Sequence, residues 1–159
     1  MTDPIGSAIN NARTVIEGLV RTRWTNDAGQ LLTPVRFQDA LKLESAGGEL
    51  EREPEKLPWL KVDILWGDSF AASFGPGSLN RNVGVAQVTL FYPKHFPAAP
   101  GAAGVLGLAD KARTIFAQKA EDECNGLLFQ PSSLPDRQPD EGAWKVSTIR
   151  TDFEFWEAN

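Results

Sequence analysis

The chain has 159 residues, the length of one ordinary domain, and 42% are hydrophobic, which is enough to build a core. Its net charge is −5 and it carries no basic stripe, which argues against a grip on nucleic acid, because phosphate binding relies on clustered Lys and Arg. One cysteine, Cys124, excludes an internal disulfide or a Cys-rich zinc site, and one histidine, His95, leaves little for histidine-based metal chemistry.

No metal or cofactor is therefore expected. The N-terminus lacks the basic start and apolar run of a signal peptide, and no stretch approaches the ~20 apolar residues of a membrane span. These features predict a soluble domain made in a reducing cytosol, with no membrane partner.

In chain order, the first expected element is an amphipathic helix over residues 4–24. Asp3 is placed to cap it and Pro4 to open it. Ile5, Ala8, Ile9, Ala12, Val15, Ile16, Leu19 and Val20 recur at helical spacing, with Asn10, Arg13, Glu17 and Arg21 pointing elsewhere. Gly29 marks the turn that follows. Leu31 to Phe37 reads as a short strand, and Pro34 assigns it to a sheet edge or a bulge. Lys42 to Pro58 is polar and acidic, carries Gly47-Gly48, Pro54 and Pro58, and is expected to be a solvated excursion between strands.

Trp59 to Trp66 is the clearest strand, with Leu60, Val62, Ile64 and Trp66 on one face and Lys61 and Asp63 on the other. Val83 to Tyr92 is its expected antiparallel partner. Apolar groups on both of its faces predict a central strand covered on each side. Between the two lies a hairpin arm, residues 67–82, longer than an ordinary turn. It holds the apolar anchors Phe70, Phe74 and Leu79, which a solvated loop would not need.

A second helix is expected from Ala103 to Ala120, burying Val105, Leu108, Ala109, Ala112, Ile115 and Phe116. Leu127 to Phe129 reads as a short strand and Pro131 to Gly142 as loop. Trp144 to Trp156 closes the chain as one long strand or as two joined at a bulge. Its apolar alternation shifts from Trp144 and Val146 to Ile149, Thr151, Phe153 and Phe155. The pattern predicts a single α+β domain over 1–159, a mostly antiparallel sheet with two helices packed on it and one long β-hairpin arm.

Three motifs could carry chemistry. Gly67-Asp68-Ser69-Phe70 after a hydrophobic strand resembles the opening block of GDSL-type esterases. That family draws its base from an Asp-x-x-His block near the C-terminus, whereas here Tyr92 stands where the aspartate should precede His95. Gly101, Gly104 and Gly107 have the spacing G-x-x-G-x-x-G, which does not encode the tight turn of a dinucleotide loop. Cys124 follows three acids, which would raise a thiol pKa and not activate it. No catalytic residue is assigned, and the expectation is a protein that is not an enzyme.

Pro58 to Gly75, Arg81 to Pro93 and the helix containing Leu108 to Phe116 resemble the tail-terminator-like proteins of long-tailed bacteriophages. The resemblance extends in element order to the N-terminal helix and to a C-terminal strand bearing a tryptophan. It implies a hexameric ring at the tail–neck junction of a virion, assembled in the host cytoplasm. Such a ring caps the tail tube protein, ends tube polymerisation and meets a head-completion or neck protein, while DNA passes through its lumen without specific binding. The acidic stretch Lys42 to Lys56 has no counterpart in the family pattern.

A ring needs unlike patches that meet between copies. Phe70, Phe74, Leu79 and Arg81 are the candidate interface residues. Arg81 and Arg150 are candidates for pairing across subunits, with an ordinary surface salt bridge as the competing reading. A different head–tail connector and a Ser69-dependent esterase are the alternatives.

Overall fold

The computed structural model describes residues 7–71, 79–96, 104–117 and 126–158. Within them the fold is α+β: two helices, α1 (Ser7–Arg23) and α2 (Val105–Arg113), and one mixed, mostly antiparallel sheet ordered β3 (Gly48–Leu50), β2 (Leu43–Ser45), β1 (Val35–Phe37), β4 (Trp59–Ala71), β5 (Leu79–Pro93), β8 (Trp144–Ala158), β6 (Leu128–Phe129), with β7 (Asp136–Glu141) also paired to β8. Helix α1 (Ser7–Arg23) packs by the spacing of Ala12, Ile16, Leu19 and Val20, all buried. Ile9, expected in that stripe, is 47% exposed. Arg21 and Arg23 sit in the last turn, where they complement the helix dipole. The Arg23 guanidinium also donates to the carbonyls of Ile115 (3.0 Å) and Ala117 (2.6 Å), tying the end of α1 to the end of α2.

After the helix, Trp24 is fully buried and its Nε1 donates to Thr33 Oγ1 at 2.9 Å. Strand β1 (Val35–Phe37) is shorter than expected and is not an edge strand: it lies between β2 and β4 and pairs with β4 in parallel. Pro34 is tolerated because it stands just before the strand and contributes only its carbonyl, which accepts the Leu60 amide at 2.9 Å.

The acidic stretch is not a solvated loop throughout. Leu43–Ser45 and Gly48–Leu50 form a small hairpin, β2 and β3, that extends the sheet beyond β1. Gly48 supplies its turn at φ 118°. Leu43 is fully buried, and Glu44 takes a bidentate ion pair from Arg21 on α1 at 2.9 and 2.8 Å. That pairing raises the Arg21 pKa above its ordinary value.

Strands β4 (Trp59–Ala71), β5 (Leu79–Pro93) and β8 (Trp144–Ala158) form the long centre of the sheet. β5 is central, as its two-sided apolar pattern predicts, and the β4–β5 pairing is antiparallel. β8 pairs with β5 from Pro93↔Trp144 to Leu79↔Ala158 without a register break, so the shift in its alternation is not a bulge. Ile149, Phe153 and Phe155 face the helices. Trp144 and Val146 face the other way, into a second cluster with Leu43, Leu50, Trp59 and Phe91. There Trp59 stacks on Phe91 (centroids 4.1 Å, 4°) and meets Trp144 edge-on at 6.3 Å.

Helix α2 (Val105–Arg113) is shorter than expected: Thr114 caps it, Thr114–Phe116 form a turn, and residues 118–120 lie outside the described ones. Its expected stripe is nonetheless buried from Val105 to Phe116. Residues 131–142, read as loop, contain β7 (Asp136–Glu141). Gln130 and Ser133 donate their amides to the carbonyls of Asp152 and Arg150 (both 2.8 Å), bridging β6 (Leu128–Phe129) to β7 along one edge of β8. The prolines interrupt this ribbon without ending it, because an edge strand has one side free of ladder bonds.

Candidate interaction face

The helices cover only part of the sheet. At about 3.3 Å per residue the 15 residues of β5 or β8 run roughly 50 Å, whereas the 17 residues of α1 span about 25 Å. Burial falls accordingly: Trp59, Leu60, Val62 and Ile64 are buried, and residues 65–69 are exposed. The far half of the three strands forms a blade: on its helix side Phe153 and Phe155 still belong to the core, and on its other face apolar side chains stay exposed. It includes the described part of the arm expected from the sequence, residues 67–71 and 79–82, but β8 accompanies the β4–β5 pair, so the blade has three strands.

A bulge between Trp66 and Ser69 sets its geometry, with Gly67 and Asp68 opposing Val83. A Cβ on Gly67 would come within 2.9 Å of Val83 Cγ2 and 3.1 Å of its carbonyl oxygen, so the close approach requires glycine. Beyond the bulge Ser69 pairs with Asn82 and Phe70 registers opposite Arg81.

On the face turned away from the helices, strand pairing makes Leu65, Val85 and Val83 neighbours, with Leu128 across Glu154 from Val83 and Trp156 beside Arg81. Leu65 is 49% exposed, Leu128 41% and Trp156 37%. Leu65, Val83 and Val85 floor an open concavity of about 480 Å³, with Arg81, Gln130, Asp152 and Glu154 at its rim. On the opposite face Trp66, itself 41% exposed, meets Phe153 and Phe155 edge-on at 5.9 and 6.3 Å. Single exposed apolar side chains need no explanation, whereas several on one sheet face make that face a candidate contact surface.

Of the four expected interface residues, Leu79 is 42% exposed and on this face, opposite Ala158. Arg81 is also there, with its guanidinium in an ion pair with Glu154 of the same chain. Phe70 lies in β4 but its side chain is outside the described ones, and Phe74 lies outside the described residues altogether. Arg150 donates to Gln87 Oε1 at 3.1 Å, so it too has a partner in its own chain. Sequence reasoning missed Leu65, Leu128 and Trp156. The available signal was Leu65, an apolar residue in the register otherwise held by Lys61 and Asp63.

Ser69 donates to Asn82 Oδ1, and Asn82 Nδ2 donates to Glu157 Oε1 at 3.1 Å, a polar ladder across three strands. His95 lies just past the other end of β5, roughly 35–40 Å from Asn82 along an extended strand. The Ser69 hydroxyl is thus bonded to an amide, and the chain's one imidazole stands at the far end of the sheet. Gly104 immediately precedes α2 with extended φ, ψ of −142° and 168°, and Gly107 lies within the helix, while Gly101 and Cys124 are outside the described residues.

Among the described residues no three or more His, Cys, Asp or Glu side chains cluster to hold a metal, and no helix is long and apolar enough to cross a membrane. No protein-family model matches the chain, and no curated protein matches it significantly.

Proposed function

We propose that the protein is a structural virion subunit of the tail-terminator kind, forming a hexameric ring at the tail–neck junction that caps the tail tube and ends its polymerisation. The observation that carries this reading is the blade. Several of its apolar side chains stay exposed on the face away from the helices, and a ring subunit needs a patch to meet an unlike patch on the next copy. The likeness of Pro58 to Gly75 and Arg81 to Pro93 to tail-terminator-like proteins supports the same assignment.

The partners are further copies of this chain, the tail tube protein and a head-completion or neck protein. DNA crosses the lumen without being held, in keeping with the net charge of −5 and the exposed Glu49, Glu51 and Glu55. The ring assembles in the host cytoplasm and needs no cofactor or reaction.

Light scattering and negative-stain electron microscopy, with and without tail tube protein, test this directly. A discrete ring of six is the expected result, alone or on the tube. A species that stays monomeric at high concentration with the tube protein present overturns it. Capture of a neck protein but never of the tube protein would move the assignment to a different head–tail connector.

A further inference from the structure

We propose that Arg36 and Trp59 form a carboxylate-binding site whose present occupant is the chain's own Glu53, and that a carboxylate from a binding partner can replace it. The site lies at the end of the sheet opposite the blade and does not depend on the ring assignment. Arg36 on β1 registers with Lys61 on β4, which makes it the diagonal neighbour of Trp59 on the face away from the helices. Its guanidinium carbon is 5.8 Å from the centre of the Trp59 ring. Trp59 is 6% exposed, and its Nε1 is buried without a hydrogen-bond partner among the described residues. Arg36 Nε is in the same position.

Two neighbouring buried N–H donors left unpaired are rare, because each forfeits the hydration it had in the unfolded chain. Both are donors only, and one belongs to a permanent cation, so the group that satisfies them is an anion with more than one acceptor oxygen.

Glu53 meets that need in part. Its Oε1 accepts from Arg36 Nη2 at 2.9 Å and leaves Nε unused. Arg21 shows the alternative within the same molecule, since Glu44 takes both its Nε and its Nη2, at 2.9 and 2.8 Å. A carboxylate seated on Arg36 in that side-on manner would recover the orphaned Nε and bring an oxygen toward the indole N–H. Glu53 can yield its place without breaking a strand, for residues 51–58 are neither helix nor strand and its side chain is 36% exposed.

The test follows the Trp59 indole N–H by ¹⁵N-resolved NMR, its signal assigned with Trp59→Phe, in wild type and in Glu53→Gln. Propionate is titrated against propionamide as the neutral control. A saturable shift is expected with propionate alone, about tenfold tighter in Glu53→Gln because the internal competitor is gone. Arg36→Lys, which keeps the charge without the fork, should abolish it.

A capped Glu-containing peptide supplies the second arm. Tighter binding than propionate identifies a protein side chain as the natural ligand, and equal binding identifies a free carboxylic acid. An indole signal unmoved by propionate in both proteins overturns the site, as does an equal response to propionamide or in Arg36→Lys. An indole already hydrogen-bonded to an internal water and indifferent to Glu53 also overturns it.

Discussion

Gly84 sits in the middle of the central strand with the Phe153 ring lying across its backbone. A Cβ there would come within 2.6 Å of Phe153 Cζ and 3.1 Å of the Leu65 carbonyl oxygen, so the ring occupies space that any side chain would need. Gly84→Ala is expected to cost about 1–3 kcal/mol in urea unfolding, as overpacking does. Gly18, in α1, has nothing within 4 Å of such a Cβ, and Gly18→Ala should instead stabilise by up to about 1 kcal/mol through helix propensity. The two glycines look alike in the sequence. Only the cross-strand partner, Phe153 some seventy positions later, separates them.

For elements, the informative segment is the β2–β3 hairpin. The stretch that holds it, Lys42 to Pro58, reads as solvated loop from its charges, glycines and prolines, and half of the hairpin's eight residues are exposed. Leu43 nevertheless reaches the second apolar cluster with Trp59, Phe91 and Val146. Leu43→Ala should therefore cost roughly 2–5 kcal/mol by chemical denaturation, where a loop leucine would cost almost nothing. Glu44→Ala should cost no more than about 1 kcal/mol, because its pairing with Arg21 is near the surface. The same cluster explains β8: its apolar positions change sides because the covered face changes, while the backbone register continues unbroken.

Across the whole molecule the asymmetry is between the sheet face that carries the two helices and the far half of the opposite face, where apolar side chains stay exposed. Leu65 is half exposed there, on the face assigned to subunit contact. Leu65→Asp should leave the unfolding midpoint of the isolated subunit nearly unchanged, since exposed substitutions usually stay within about 0.5 kcal/mol. The same variant should lose the ring by light scattering, because a carboxylate would be desolvated in the contact. Unfolding of the variant would place Leu65 in the core and remove the blade from the proposed interface. In the same way, equal background turnover of an activated ester by wild type and Ser69→Ala is expected from the Ser69–Asn82 pairing.

The sequence by itself determined the class of this fold. Period-3.6 spacing in α1 and α2 and period-2 spacing in β4 and β5 follow from local geometry, so the buried stripes Ala12–Ile16–Leu19 and Leu60–Val62–Ile64 were legible without a structure. What was not legible depends on partners distant in the chain. Alternation cannot say which face is covered at each point, so β8 read equally as one strand or two. A polar composition cannot reveal that one leucine of the β2–β3 hairpin lands on Trp59. Leu65, Leu128 and Trp156 remain in water because they lie on the sheet face that neither helix covers, and that face is assigned only once the sheet is assembled. Side-chain periodicity is a property of each segment, whereas burial is a property of what the other segments leave uncovered.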